Sequence, residues 1–459
     1  MRIKTGKPID PGFFGFKGES VISPVTAIAT DSREIRPGDL FLALPGKKTD
    51  GAAHIAEAFS RGAAAVVSSG DGDDQRVLKT PDPLGFITRA AENYAETVPH
   101  KTVAITGSYG KTTLRAALDT VLSPVLRLRC TEGNGNTDLA VALTLFTLSK
   151  GDELLIAELG MRGRGEIARL SRLVKPDVAV ITAVGQAHVG LLGSVDAIRE
   201  SKCEIALGIK ENGILLYPAS DDPLASRVSR LPARSEGVSC DPERRAAFSV
   251  TRIEKTGERT LVSFAGQKTE LRDVILPSSD APTLSAAAFC FAVAENLRLV
   301  PETFREGLTK IQPPPLRREI ETITGVIYIL DCYNASPEPT VAALSELRRY
   351  GGKRLFLVLG DMLELGALSD IAHETVGRRA AALAPERLYC VGERAKGYAK
   401  GAIIEGLSPE RVRFVSGDGL PELGAELKNA TRAGDVVFIK GSRALALERL
   451  VRIVKQAVR

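Results

Sequence analysis

Short, continuous apolar runs recur along the chain, and most of them precede a turn and then a segment with helical periodicity. In the middle of the chain they include ELLIAELG at 153–160 and DVAVITAV at 177–184. Runs of this length that are apolar on both faces are typical of strands buried in parallel sheets, and the periodic segments predict covering helices. The pattern therefore predicts an α/β protein.

The C-terminal third shows this alternation most regularly. Its apolar runs are VIYILD, KRLFLVLGD, RLYCVG, RVRFVSG and DVVFIKGS, with predicted helices between and after them. Repeated βα units imply a mostly parallel, Rossmann-like doubly wound sheet with helices on both faces. Between 212 and 276 the pattern changes to short strand-like pieces separated by turns, which predicts a small antiparallel appendage.

Two linkers divide the chain into three predicted domains. A length of 459 residues exceeds what one hydrophobic core normally serves. Segments 98–100 and 312–315 contain prolines that interrupt regular structure. We expect a small N-terminal α/β domain at 1–98, a central domain with a parallel sheet at 99–312 and a C-terminal Rossmann-like domain at 313–459.

Composition narrows the class of partner. Lys and Arg number 61 against 56 Asp and Glu, so the net charge of +5 is small, and the basic residues form no long run. This argues against a nucleic-acid surface but suits an anionic substrate. The six cysteines lack metal-ligand spacing, and no apolar run approaches the ~18 residues of a membrane span. We expect a cytoplasmic monomer without a nucleic-acid or membrane partner.

The segment TVAITGSYGKTTL at 102–114 carries the most specific chemistry. An apolar strand leads into a glycine-bearing turn, and a helix follows. Backbone N–H groups of such a turn and the positive end of the helix dipole bind phosphate, while the lysine adds charge and a hydroxyl reaches Mg²⁺. The predicted phosphate-binding residues are Gly107, Ser108, Gly110, Lys111, Thr112 and Thr113.

This motif is a short form of the P-loop, GxxGKT, because Ile105 occupies the place of the first glycine. The alternative is a tight turn followed by a helix whose lysine is solvated. That alternative leaves the adjacent Gly-Lys-Thr-Thr unexplained. We therefore predict a nucleoside polyphosphate, with Mg²⁺, as the ligand.

Two polar side chains stand where buried strands are predicted to end. Glu158 closes the first apolar run, and carboxylates in this place commonly hold Mg²⁺ in P-loop proteins. His188 comes just after the second run, at the edge where open α/β sheets bind ligands. A lone histidine is more often a structural residue, so the pattern alone leaves its role open.

Five further positions each have two interpretations. Lys202 lies within a predicted helix, where a lysine is ordinarily solvated. Ser32 and Arg33 fit an anion site, with the guanidinium as a fork for phosphate, or a loop that caps its own neighbours. Asn134 and Asn136 fit ligand contact or an ordinary Asn/Gly turn.

Seven motifs follow one another along the chain. They read DSREIRPGDLFLALPG, TGSYGKTT, ELGMRGRGEI, AHVGLLGSVDAIRESKCEI, LDCYNASP, GDMLELG and KGSRALALERLV. Together and in this order they resemble the Mur ligases of peptidoglycan synthesis. The resemblance implies an N-terminal domain for a UDP-sugar, a central P-loop ATPase domain and a C-terminal domain for the amino substrate.

The resemblance also implies site roles. Lys111 and Thr112 would contact ATP phosphates and Mg²⁺, and Thr112, Glu158 and His188 would be magnesium ligands. Lys202 matches the family's carbamylated lysine, in which a carbamate turns an amine into a carboxylate-like metal ligand. Lys111, His188 and Lys202 form the implied catalytic group.

Residues outside this group are implied to complete the substrate sites. Arg317, Asp331 and Asn334 of the C-terminal domain would approach the nucleotide. The implied substrate contacts are Ser32, Arg33, Asn134 and Asn136.

Within the family, GDMLELG and KGSR favour the members that add D-alanyl-D-alanine to UDP-MurNAc-tripeptide. The implied reaction is ATP-dependent amide-bond formation. ATP phosphorylates the acceptor carboxylate, and the amine of D-Ala-D-Ala then attacks the acyl phosphate. The implied partners are these two small molecules, together with ATP and Mg²⁺.

Some motif positions depart from the family's usual asparagine, namely Tyr109, Thr137, Ala183 and Ser285. They leave two alternatives open. One is a divergent Mur-like ligase with another amino acid or acceptor, including folylpolyglutamate-type chemistry. The other is an ATP-binding relative that has lost catalysis, against which the retained phosphate and metal residues argue.

Overall fold

A computed structural model describes residues 1–16, 22–46, 49–70, 74–133, 135–256 and 259–458. Within these residues the strands form three sheets, of five, nine and six strands. The sheets follow one another along the chain and helices cover them, so the predicted three-domain α/β fold is confirmed. The domain boundaries themselves stay predictions.

The N-terminal sheet begins with an antiparallel pair and continues with parallel strands. Its strands are β1 (Arg2–Ile9), β2 (Val25–Ala29), β3 (Asp39–Ala43), β4 (Ala65–Ser68) and β5 (Val77–Lys79). Its helices are α1 (Ile55–Ser60) and α2 (Pro83–Glu96). The buried carboxylate of Asp39 accepts hydrogen bonds of 2.6 and 2.9 Å from Arg2, which ties the first strand to the third.

The central sheet has the order β14-β13-β12-β11-β10-β9-β6-β8-β7. Its strands are β6 (Lys101–Thr106), β7 (Leu128–Cys130), β8 (Leu154–Glu158), β9 (Val178–Ile181), β10 (Ile214–Pro218), β11 (Ser235–Ser239), β12 (Phe248–Thr256), β13 (Arg259–Ala265) and β14 (Glu270–Leu276). Its helices are α3 (Lys111–Leu122), α4 (Asp138–Leu145), α5 (Glu166–Val174), α6 (Val189–Leu192), α7 (Val195–Cys203), α8 (Asp222–Val228), α9 (Ala281–Asn296) and α10 (Pro301–Thr309).

The strands around the P-loop are parallel as predicted, but the prediction of a separate antiparallel appendage at 212–276 is wrong. Strands β10 and β11 extend the central sheet in parallel, and helix α8 supplies the crossover between them. Antiparallel pairing is confined to β12, β13 and β14 at the far edge of the same sheet. Short strands separated by turns have the same local pattern in both arrangements, so the pattern did not reveal which strand each one pairs with.

The C-terminal sheet has the order β15-β16-β20-β17-β18-β19, and only its first pair is antiparallel. Its strands are β15 (Glu319–Ile323), β16 (Val326–Asp331), β17 (Leu355–Gly360), β18 (Arg387–Val391), β19 (Val412–Val415) and β20 (Val436–Lys440). Its helices are α11 (Pro337–Glu346), α12 (Ser369–Ala381), α13 (Lys396–Ile404), α14 (Leu420–Ala430) and α15 (Arg449–Val458).

The register of the central strands positions the site. Ile105 of β6 is paired with Glu158 of β8 on one side and with Val180 of β9 on the other. Because the three strands are parallel, their carboxyl ends meet at the same edge of the sheet. The glycine turn after β6, the carboxylate of Glu158 and the segment after β9 therefore lie side by side.

The six cysteines, all of them within the described residues, are free. Among the described residues, no helix combines the length and the apolar character that crossing a bilayer requires.

The N-terminal and central domains are in direct backbone contact. The N–H of Gly6 donates to the carbonyl of Phe146 at 2.8 Å, and the buried Tyr94 hydroxyl donates to the carbonyl of Leu148 at 2.8 Å. A Cβ atom on Gly6 would stand 2.2 Å from the Leu148 oxygen. Residue 6 therefore has no room for a side chain while the two domains are docked.

We predict that Gly6→Ala destabilises the protein by about 1–3 kcal/mol, because a methyl group forced into a packed backbone contact must push the domains apart. Differential scanning calorimetry would measure this as a lower midpoint. Gly417→Ala is the matched control, since a Cβ atom there meets nothing within 4 Å. Equal midpoints for the two variants would contradict the prediction.

Candidate active site

The glycine turn between β6 and α3 is pinned against the end of β9. Gly110, which precedes α3, has φ +84°, a backbone conformation that favours glycine. A Cβ atom on Gly107 would lie 2.0 Å from the hydroxyl oxygen of Thr182. That hydroxyl donates to the carbonyl of Tyr109 at 2.5 Å, so the turn is held at both of its glycines.

The residues of the turn are bonded to one another and to the segment after β9. The Ser108 N–H donates to the carbonyl of Ala183, and the Ser108 hydroxyl accepts from the N–H of Gly185 at 3.1 Å. Lys111 bends back over the turn, and its Nζ donates to the carbonyl of Gly107 at 2.7 Å. Burial lowers the pKa of Lys111. Thr113 is partly buried on the first turn of α3, and the structure gives it no contact that distinguishes a role.

Glu158 is buried, with 3% of its surface exposed, and is surrounded by donors. Its two oxygens accept from the Thr112 hydroxyl at 3.0 Å and from the Asn136 amide at 3.2 Å. The guanidinium of Arg115, one turn along α3 from Lys111, lies 3.8 Å away. Glu158, which the sequence predicted at the end of a strand, therefore joins helix α3 to the loop that contains Asn136.

His188 lies at the start of α6 with φ +68°, an uncommon conformation for a residue other than glycine. Its Nδ1 is 2.6 Å from a carboxylate oxygen of Glu364 in the C-terminal domain. The distance is that of a hydrogen bond but the alignment is poor, and Nδ1 has no well-aligned acceptor among the described residues. Burial lowers the pKa of His188, and the nearby charge of Lys202 lowers it further.

Lys202 lies inside the protein, with 1% of its surface exposed, on the buried face of α7. The interpretation of this residue as a solvated helix lysine is therefore wrong. Burial holds its pKa well below the usual value, the charge of Lys111 acts in the same direction, and Glu204 and Glu158 oppose the shift. A lowered pKa increases the share of neutral amine, which is the form that reacts with CO₂.

The donor set fits a hard divalent cation once Lys202 bears a carbamate. The described residues contain no group of three or more His, Cys, Asp and Glu side chains placed to share a metal ion. Glu158 and His188 contribute two such groups, a carbamate on Lys202 would contribute carboxylate-like oxygens, and Thr112 offers a hydroxyl. Oxygen ligands of this kind suit Mg²⁺.

The C-terminal domain reaches this site through Arg317. Its Nη2 donates to the hydroxyl of Thr112 at 3.2 Å, and its guanidinium stacks on the ring of Tyr333 at 4.3 Å. Burial lowers the pKa of Arg317. The structure thus places an arginine from one domain on the predicted phosphate site of another.

Asp331 and Asn334 are held together by a buried lysine that sequence reasoning missed. Lys440, 3% exposed at the end of β20, lies 2.6 Å from the Asp331 carboxylate and 3.3 Å from the Asn334 carbonyl. The Asn334 side-chain oxygen accepts from the N–H of Ala335. The signal for Lys440 was the KGS sequence after an apolar strand.

The predicted N-terminal contacts are engaged locally. The Ser32 hydroxyl donates to Glu57 at 2.7 Å, and Arg33, with a side chain 78% exposed, pairs with Asp31 at 2.6 Å. Among the described residues, the side chains of Ser32 and Arg33 bond only within the N-terminal domain, so the structure does not bring them to the P-loop. Asn134 lies outside the described residues.

Family comparisons cover most of the chain. The Mur ligase family, catalytic domain matches 24–99, the Mur ligase middle domain matches 105–278, and the Mur ligase, glutamate ligase domain matches 317–443.

Relatives align over nearly their full length. A Bacillus subtilis protein named UDP-N-acetylmuramoyl-tripeptide–D-alanyl-D-alanine ligase is 31% identical, with 93% of both chains covered. An Escherichia coli protein of the same name is 30% identical over 94% of both chains.

Solved structures share the fold. A MurF ligase from Thermotoga maritima in complex with ADP has a TM-score of 0.82 and 27% identity, with 94% of this chain and 97% of that chain covered. MurF from Acinetobacter baumannii has a TM-score of 0.84 and 27% identity, with 97% and 98% covered. The matches in sequence and in structure follow the same three domains, and the chain belongs to the Mur ligase family.

Proposed function

We propose that this protein is an ATP-dependent ligase that attaches D-alanyl-D-alanine to UDP-MurNAc-tripeptide during the synthesis of peptidoglycan precursors. Its Bacillus subtilis and Escherichia coli relatives bear the name of this activity. The observation that carries the proposal is the convergence of Glu158, His188 and Lys202 on the P-loop, with Arg317 arriving from the C-terminal domain.

ATP and Mg²⁺ supply the phosphoryl group and the charge neutralisation that make an unreactive carboxylate open to attack by an amine. The chain's own residues hold and position the reactants. Backbone groups of the turn and the cations of Lys111 and Arg317 would face the phosphates. Glu158 and His188, together with a carbamate on Lys202, would face the metal ion. The Thermotoga maritima structure is a complex with ADP, which supports nucleotide binding by this chain.

Carbamylation of Lys202 balances without a further reagent. The ammonium first releases one proton to solvent. The neutral amine then attacks the carbon of CO₂, so that an N–C bond forms as one C–O π bond breaks, and a second proton is released. A cationic side chain thereby becomes an anionic one beside Lys111, which relieves the repulsion that lowers the pKa of Lys202. Because Lys202 is buried, a carbamate is stable there only if a positive charge faces it, either a metal ion or one of the cationic side chains at the phosphate site.

The remaining domains would bind the two substrates that are joined. We assign the UDP-sugar to the N-terminal domain, through Ser32 and Arg33, and the dipeptide to the C-terminal domain. Domain closure would bring the acceptor carboxylate and the amine together and exclude water, which protects an acyl phosphate from hydrolysis. We also propose that the reaction takes place in the cytoplasm, and that the protein acts as a monomer.

A coupled phosphate-release assay tests the whole proposal. We expect phosphate and a new amide in equal amounts when ATP, Mg²⁺, UDP-MurNAc-tripeptide and D-Ala-D-Ala are supplied together, and background release when any one is left out. A panel of other amino acids and acceptors in the same assay separates a divergent ligase from this one. Nucleotide binding without turnover on any member of the panel would instead indicate a non-catalytic relative.

Lys111→Met should reduce kcat/KM by about 10²-fold or more, because it removes a positioned cation from the transferring phosphoryl group. The measurement is the same assay, with circular dichroism to verify the fold. Lys150→Met, at an exposed lysine of the central domain, is the matched control and should retain activity. Near-native activity of Lys111→Met would contradict a phosphate role for this residue.

Lys202→Ala should be inactive, and formate or acetate should restore part of its activity by placing a carboxylate where the carbamate would stand. Activity is measured against acid concentration. The same acids should not restore Lys111→Met, which lacks a cation rather than an anion. Mass spectrometry in bicarbonate buffer should find about 44 Da, the mass of one CO₂, added at Lys202 in the native chain. Absence of both the rescue and the added mass would refute the carbamate.

A further inference from the structure

The C-terminal domain grips the segment that carries His188 at two separate places. Near its start, the N–H of Gln186 donates to the carboxylate of Glu338, at the beginning of α11, at 3.0 Å. Near its end, the N–H of Gly190 donates to the backbone carbonyl of Glu364 at 3.0 Å, and the Glu364 carboxylate lies 2.6 Å from His188 Nδ1. His188 is therefore held between two contacts that another domain provides.

The second contact is built from close backbone packing. A Cβ atom on Gly190 would lie 2.5 Å from the nitrogen of Gly366, and one on Gly366 would lie 2.7 Å from the Cα of Gly190. His188 and Glu364 both have positive φ, +68° and +63°, although neither is glycine. Such conformations persist where the surroundings enforce them, and they cluster at functional sites. The two strained residues are the two whose side chains meet.

A histidine that binds a metal ion through one ring nitrogen usually donates the N–H of the other to a carboxylate or carbonyl, which fixes the tautomer and the orientation of the ring. The Glu364 carboxylate lies 2.6 Å from Nδ1, within reach of such a bond once the two groups align. With the proton on Nδ1 beside the carboxylate, Nε2 carries the lone pair. His188 is thereby prepared to act as a metal ligand through Nε2.

We infer that Glu364 is a positioning residue that orients His188 for the divalent cation, so that the cation site of the central domain is complete only when the C-terminal domain is docked. This inference rests on the proposed function, in which His188 is a metal ligand. It adds a link between the domains. Docking of the C-terminal domain and completion of the metal site become one event, because Glu364 lies in the loop after β17 of that domain.

Glu338 provides the comparison that separates orientation from simple docking. Both glutamates lie in the C-terminal domain, and both accept a hydrogen bond from the segment around His188. Only Glu364 places its carboxylate on the imidazole. Loss of Glu338 should leave both the docking and the tautomer of His188 unchanged, because the second contact, at Gly190 and Glu364, still holds the C-terminal domain on this segment.

The experiment uses the full chain in bicarbonate buffer, with Mn²⁺ in place of Mg²⁺ and a non-hydrolysable ATP analogue. Electron spin-echo modulation reports whether a nitrogen of an imidazole is coordinated to Mn²⁺, and a titration gives the Mn²⁺ affinity. We expect a nitrogen signal from the native chain and none from His188→Ala. Glu364→Ala should lose most of that signal and bind Mn²⁺ about tenfold more weakly.

Two further variants test whether a loss of signal comes from the orientation of His188. Glu364→Gln keeps an oxygen that accepts from Nδ1–H, so it should retain the nitrogen signal and an affinity within about threefold of native. Glu338→Ala should retain both the signal and the native affinity. Analogue binding and thermal midpoints verify that each variant is folded.

The outcomes that overturn the inference are distinct from those that overturn the proposed function. A native signal that persists in Glu364→Ala at unchanged affinity overturns the role of Glu364 alone, as does an equal loss in Glu338→Ala. If the native chain gives no nitrogen signal, His188 does not bind the metal ion, and the inference fails for that reason. The ligase function is decided separately, by the phosphate-release assay, which does not depend on which atoms bind the metal ion.

Discussion

An excess of positive charge around one buried carboxylate is the constraint on which the rest of the site depends. Glu158 is the anion at the centre, and Lys111, Arg115 and Arg317 bring three cations to the same small volume. Burying charge without a partner is costly. The arrangement is therefore best satisfied by a polyanion such as a nucleoside triphosphate, which supplies the missing negative charge.

Burial first, and then the positive charge of Lys111, lower the pKa of Lys202. A further ammonium in this volume would add to an unbalanced charge, and burial alone already disfavours it. The proposed conversion to a carbamate would reverse the sign of the side chain and would create a place for a cation beside the phosphates. Desolvation of this lysine would thus favour the chemistry that the proposed reaction needs.

The domains contribute to this site unequally. The central domain provides the turn, the carboxylate, the histidine and the lysine. The C-terminal domain adds Arg317 beside Thr112 and Glu364 beside His188, so the proposed cation site lies between two side chains that both come from the docked domain. The N-terminal domain is fixed to the central one by backbone packing at Gly6. This arrangement suits a fixed acceptor domain and a C-terminal domain that docks on the metal site.

The sequence by itself determined the features that are written in local patterns. Apolar runs indicated the strands, Gly-Lys-Thr-Thr after an apolar strand indicated the phosphate turn, and Glu158 was predicted from the end of a buried run. Tertiary structure decided everything that depends on residues far apart in the chain. It joined 212–276 to the central sheet, and it buried Lys202, which a helical pattern presents like any exposed lysine. It also placed Glu364 on His188, 176 positions away by numbering. Local periodicity records which face of an element is apolar, but the partner that covers that face is chosen only when the chain has folded.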